Sequence, residues 1–146
     1  MRLNTWSALG LWLILFSAHS ADQQNIAPVE EILDTCSYSS QAGMRDCLED
    51  SVRDSSTAVN AAEKKFAATM SRWDERQKYI AAAHMQFNIS KRAFLKYRDE
   101  QCALAAALGG GAIGNALELR RLACIYELNR ERSNQLTRFS SSLYLK

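Results

Sequence analysis

The sequence predicts an all-α fold, a small helical bundle of antiparallel hairpins stapled by two disulfides, and three observations lead to it. Beyond residue 21 the chain has one proline, Pro28, and its glycines are confined to Gly43 and the cluster Gly109, Gly110, Gly111 and Gly114. Long stretches are therefore free of helix breakers. Along those stretches apolar or small side chains recur every three or four residues, and no run shows the period of two expected of a strand. Four cysteines flank two turn-forming segments.

The chain opens on MRLNTWSALGLWLILFSAHSA, in which Arg2 supplies a positive start and Ala8 to Phe16 an apolar core broken only by Gly10. This is the layout of a cleavable secretory leader. Ala18 and Ser20 stand three and one positions before a cut between Ser20 and Ala21, with a cut between Ala21 and Asp22 as the alternative. An uncleaved anchor would want roughly 20 predominantly apolar residues, and this run is about half that, so no stable membrane anchor is expected after cleavage. Nothing later in the chain is apolar enough to span a bilayer. Removing residues 1–20 leaves 126 residues, enough for a single domain over 21–146 with one core.

A short helix is predicted around residues 28–35, with Pro28 near its first turn. A second covers residues 44–71, where Met44, Leu48, Val52, Ser55, Val59, Ala62, Phe66 and Met70 keep helical spacing. A third carries Ile80, Ala83, Phe87, Ser90, Phe94, Tyr97, Leu104 and Leu108 and stops at the glycine cluster. The last carries Leu117, Arg121, Cys124, Ile125, Leu128, Arg132, Gln135, Phe139 and Leu143, three of these positions being polar. Such a set of elements builds a bundle or layered hairpins.

All four cysteines, Cys36, Cys47, Cys102 and Cys124, lie beyond the leader, and an even number in an oxidising compartment reads as two disulfides. In an antiparallel hairpin, residues equally far from the turn lie at the same height. Cys102 and Cys124 are symmetric about residue 113, inside the glycine-rich turn, and Cys36 and Cys47 about the Gln41–Ala42 bond. That favours Cys36 with Cys47 and Cys102 with Cys124. The two crossed connectivities stay open and would require the turns to meet. Zinc is the rival use of the thiols, but ten and 21 residues separate the cysteines within these pairs, without the close spacing of structural zinc sites. No metal or other cofactor is expected.

The formal charge, +2 for the whole chain and +1 once Arg2 leaves with the leader, implies no nucleic acid and no strongly charged partner. The segment Phe94-Leu95-Lys96-Tyr97-Arg98-Asp99-Glu100-Gln101-Cys102 and the later Cys124, Leu128, Asn129, Arg132 and Leu136 resemble motifs of the LprI-like lysozyme inhibitor domain, a family of small exported helical modules. Upstream, Cys36, Met44, Cys47 and the Val59-Asn60 pair fit as well, so the resemblance runs over about residues 32–139. The chain departs from the family's pattern at Phe94, where Trp is common, at Asn129, where Thr is common, and at Glu63, where a Tyr often follows the family's Leu-Asn pair. The resemblance implies a helical binding domain directed at lysozyme or another cell-wall hydrolase. The shared residues themselves read as architectural, with Phe94 and Tyr97 one turn apart on a buried stripe.

Among candidate sites, Asp46, Asp50 and Asp54 recur every four residues along one face of the second helix. They read as a solvated face near a helix N-terminus, or, functionally, as a surface for a basic partner such as a positively charged lysozyme. Arg98, Asp99 and Arg132 read as an ion pair fixing the register of the last two helices, or as a recognition patch. Gly109, Gly110, Gly111 and Gly114 read as a turn needing special backbone angles, or as a loop able to approach a partner's backbone. No catalytic residues are assigned: His84, the one histidine beyond the leader, has no acid or nucleophile at a persuasive spacing. The expectation is a periplasmic or secreted binding protein, not an enzyme. The alternatives are an envelope interaction or immunity module for another effector and, more weakly, a hydrolytic or redox enzyme, which in its redox form would need a free thiol of low pKa.

Overall fold

A computed structural model describes residues 26–112 and 114–146; the leader and both candidate cut sites lie outside the described residues. Four helices follow one another: α1 Val29–Ser37, α2 Gln41–Ser71, α3 Gln77–Ala107 and α4 Ala116–Ser142. The expected all-α bundle is borne out. α2 begins three residues earlier than its apolar periodicity indicates, because Ser40 caps it: its Oγ accepts the Gly43 N–H at 3.2 Å. Such a cap satisfies one of the donors that a helix start leaves without a partner.

Both expected disulfides form, Cys36–Cys47 and Cys102–Cys124, each across the turn that it closes. The two turns do meet, since the Asn115 side chain donates to the Gln41 carbonyl at 3.4 Å. Pairing nevertheless stays local, because partners at equal height in a hairpin sit within bonding reach, with Cα atoms 5.7 and 5.4 Å apart.

α4 touches all three other helices and α2 is its main partner. The core falls into two apolar clusters. One joins Cys36, Leu48 and Leu122 near the turns, and the other joins Met70, Phe87 and Leu136 toward the opposite end. In the second, Phe66 meets Phe87 edge to face with ring centroids 5.1 Å apart, an arrangement aromatic pairs prefer. Between the clusters in sequence, α2 and α4 also bury polar groups: Ser55 and Glu63 from one, Asn129, Arg132 and Ser133 from the other.

Two details depart from the sequence reading. Tyr97, Leu104, Leu108 and Phe139 are exposed rather than on a buried stripe. α3 lies chiefly against α4 and buries only a narrow band, Ile80, Phe87 and Cys102. At about 100° per residue, Tyr97 sits about 60° round from Phe94, which puts its ring on the solvent side, 54% exposed. The second departure is a small patch of strand-like pairing. Trp73 bridges Leu145, Asp74 N–H donates to the Tyr144 carbonyl at 2.8 Å, and Lys146 N–H donates to the Arg72 carbonyl at 3.1 Å. These bonds tie the end of the chain to the α2–α3 connection.

Candidate functional site

The family-motif residues converge on the α3–α4 face, and the residue that organises them is Asn129, whose side chain is fully buried. Its Nδ2 donates to Ser55 Oγ and Ser56 Oγ, both at 3.1 Å, and its Oδ1 accepts from Arg98 Nη1 at 3.2 Å. One amide therefore ties α2, α3 and α4 together. The serine hydroxyls are spared for this because each donates its own proton to the Val52 carbonyl, leaving the oxygen lone pairs to accept.

The expected ion pair between the last two helices is not what forms. Arg98 grips the carboxylate of its exposed neighbour Asp99 on the same helix, from Nε at 3.1 Å and Nη2 at 3.0 Å. Its link to α4 is the neutral Asn129 oxygen. Arg132 pairs with neither: it donates to Gln135 Oε1 at 2.9 Å and to Ser90 Oγ at 3.1 Å, and lies over the Phe94 ring with 5.4 Å to the centroid. The acid nearest in charge terms, Glu63, is itself buried and salt-bridged to Lys91 at 2.8 Å. Register is held by hydrogen bonds to neutral acceptors, which avoid the cost of burying a second charge.

Arg132 is 8% exposed, no carboxylate lies within 4.0 Å of its nitrogens among the described residues, and its buried Nε has no hydrogen-bond partner. Burial pulls its guanidinium below the ordinary arginine range, and the field of Glu63 opposes this only in part. It forms part of the wall of a solvent-open cavity of about 580 Å³ between α3 and α4, together with Phe94, Tyr97, Leu128, Arg130 and Arg138. Phe94, Tyr97, Leu128 and Arg132 of the motif thus line one cavity, while Leu136 lies in the core and Arg98 bonds to its neighbour Asp99. The other side of Arg132 faces an apolar hollow of about 300 Å³ bounded by Phe66, Met70, Phe87 and Phe139.

The remaining candidates lie elsewhere. Asp46, Asp50 and Asp54 are exposed on α2, the first two paired with Arg45 and Arg53 of their own helix. Asp54 instead borders a cavity of about 500 Å³ beside Ile26, Ala27, Ile32 and Tyr126. Burial raises the Tyr126 phenol above its usual range, and its hydroxyl donates to the Ala27 carbonyl at 2.8 Å. Among the described residues of the α3–α4 turn, only Gly110 and Gly114 take positive φ, at 57° and 67°. Gly109 is needed for packing, since a Cβ there would lie 2.3 Å from a Leu117 methyl and 3.0 Å from the Ala106 carbonyl oxygen. Gly111 has neither constraint, so the turn accounts for three of its four glycines. His84 accepts or donates one contact, to Ser71 Oγ at 3.3 Å.

Spacing alone passes over Asn129, Arg130 and Arg138. The available signal for Asn129 is its place in the series Leu122, Ile125, Asn129, Arg132, Leu136, where a polar residue falls on every criterion of a buried face.

These features define a disulfide-stapled helical module with its motif residues gathered round an open, arginine-rich cavity. The chain belongs to the lysozyme inhibitor LprI family, whose profile matches residues 34–136. No curated protein and no solved structure matches it. Membership implies a binding function of the lysozyme-inhibitor kind, and the two disulfides together with the family suggest an extracytoplasmic protein. No described helix is long and apolar enough to cross a membrane.

Proposed function

We propose that this chain is a non-catalytic binding protein, exported to the periplasm or beyond after cleavage behind Ser20, that inhibits lysozyme or a related cell-wall hydrolase. The observation that carries the reading is the family match over residues 34–136, and two further features support it. Export would supply both the oxidising compartment in which Cys36–Cys47 and Cys102–Cys124 close and the compartment in which cell-wall hydrolases act. All four thiols being bonded leaves none of them as a nucleophile.

The α3–α4 turn and the α2 face offer contact surfaces of different character. Gly110 and Gly111 are exposed with open space around their α-carbons, so a partner's backbone can come close. Asp46, Asp50 and Asp54 present acids to a basic partner. The test is the rate at which lysozyme clears a cell-wall suspension with the purified leader-free protein added. Slowing that saturates with inhibitor concentration supports the proposal, and an unchanged rate at large molar excess refutes it for that enzyme.

A second reading, an envelope interaction or immunity module for another effector, is favoured by the departures at Asn129 and Glu63. Both are buried and bonded into the helix packing here. Retention of a different envelope protein, with no effect on any hydrolase, would select it.

A further inference from the structure

Arg132 is the one buried arginine of the described residues and its charge has no bonded counter-charge. A buried cation left so is costly unless it is paired and hydrogen-bonded. Only two of the five N–H donors of its guanidinium are used, on Gln135 and Ser90. The guanidinium carbon lies over the Phe94 ring and Nε is buried, so what remains for a ligand is the second N–H on each of Nη1 and Nη2, and a planar guanidinium fork is a group that carboxylates match. The rest of the cavity wall carries charges of both signs. Arg138 adds a cation with no carboxylate partner among the described residues, and Arg130 adds one already held by Glu127 at 2.5 Å. Glu131 at the same cavity opposes ligands of higher charge, such as phosphate, more than it opposes a single carboxylate. Tyr97 and Leu128 supply apolar walls for the methylenes of an acidic side chain.

We propose that the cavity between α3 and α4 is a carboxylate-binding site, which takes an aspartate or glutamate side chain from a protein partner against Arg132 with Arg138 at its mouth. This deepens the inhibitory reading and rests on it only for the partner being a hydrolase; the chemistry of the cavity is independent of it. Four residues of the family motif then have a use beyond architecture: Arg132 binds, Phe94 lies against its guanidinium, and Tyr97 and Leu128 line the cavity beside the ligand's stem.

The probe is the capped tripeptide acetyl-Ala-Glu-Ala-amide, titrated into the leader-free protein at low salt and followed by NMR at the arginine Nε–H and backbone amide signals. Its glutamine counterpart and inorganic phosphate serve as comparators. Saturable shifts centred on Arg132 and Leu128 to Arg138, given by the glutamate peptide and not by the glutamine peptide, support the proposal. Arg132→Gln should weaken binding roughly tenfold or more. Should that variant fail to fold, Arg138→Gln, exposed and free of packing duties, should weaken it roughly two- to fivefold, while Lys65→Gln on α2 leaves it unchanged. Equal shifts with both peptides, tighter binding of phosphate, or equal losses from Arg138→Gln and Lys65→Gln would each overturn it. The hydrolase assay reads separately. Inhibition undiminished in Arg138→Gln alongside silent titrations removes the carboxylate site and leaves the inhibitor, whereas peptide binding without inhibition of any hydrolase does the reverse.

Discussion

Replacing Asn129 by alanine takes away the only side chain that bonds to α2 and α3 at once from within α4. Three hydrogen bonds vanish, two from Nδ2 to Ser55 and Ser56 and one from Arg98 to Oδ1. Neutral bonds contribute about 1 kcal/mol net each and one to a charged donor about 1.5 to 3, which sums to an upper figure of about 5 kcal/mol. The loss is moderated because both serines keep their bonds to Val52 and Arg98 keeps Asp99, so the expected destabilisation is about 3 to 4 kcal/mol. Against a typical margin of about 5 to 15 kcal/mol that is a large fraction. Asn129→Thr retains a hydroxyl able to meet one of the partners and should cost only about 1 to 2 kcal/mol. Urea unfolding followed by far-UV circular dichroism, with the disulfides intact, measures both. A loss below about 1 kcal/mol for the alanine variant, or equal losses for Ala and Thr, would refute the reasoning that this amide organises the helix packing.

Other expectations follow from single features. Replacing Cys102 and Cys124 together by serine reopens a loop with a sequence separation of 22, and should cost about 3 kcal/mol in the same unfolding experiment. Gly110→Ala forces a side chain into positive φ and should lose about 1 to 2 kcal/mol, whereas Gly111→Ala, with open space and ordinary φ, should leave the midpoint unchanged. Tyr126 has a phenol raised by burial, so its contribution is fully present below the unfolded value of about pH 10 and fades as pH rises through the higher folded value. Urea midpoints on the alkaline side should therefore fall more steeply for the parent protein than for Tyr126→Phe.

The helices and both disulfides were legible because they rest on local rules. Proline marks where α1 begins and glycine where α3 ends, apolar spacing marks which face of α2 is buried, and symmetry about each turn sets cysteine heights. What escaped depends on how one helix meets another. Tyr97 and Phe94 share the same spacing rule, yet Phe94 is half-buried while Tyr97 is exposed at the rim of the α3–α4 cavity, because α3 has a single large neighbour. Arg132 has the spacing of a core position and the charge of a surface one, and only the packed structure shows Ser90, Gln135 and Phe94 around it. The bridge between Trp73 and Leu145 involves too few residues to leave a period in the sequence. Leu136 and Arg98 have the architectural role that the motif's spacing suggests, while Phe94, Tyr97, Leu128 and Arg132 share a cavity open to solvent.

Inhibition itself is measured most directly by titrating the leader-free protein into clearing assays with a panel of cell-wall hydrolases, lysozyme among them. At least one enzyme is expected to be slowed in a saturable, stoichiometric manner, with the disulfide-bonded protein active and the reduced protein inactive. Unchanged rates for every enzyme in the panel, at large molar excess of folded protein, would contradict it.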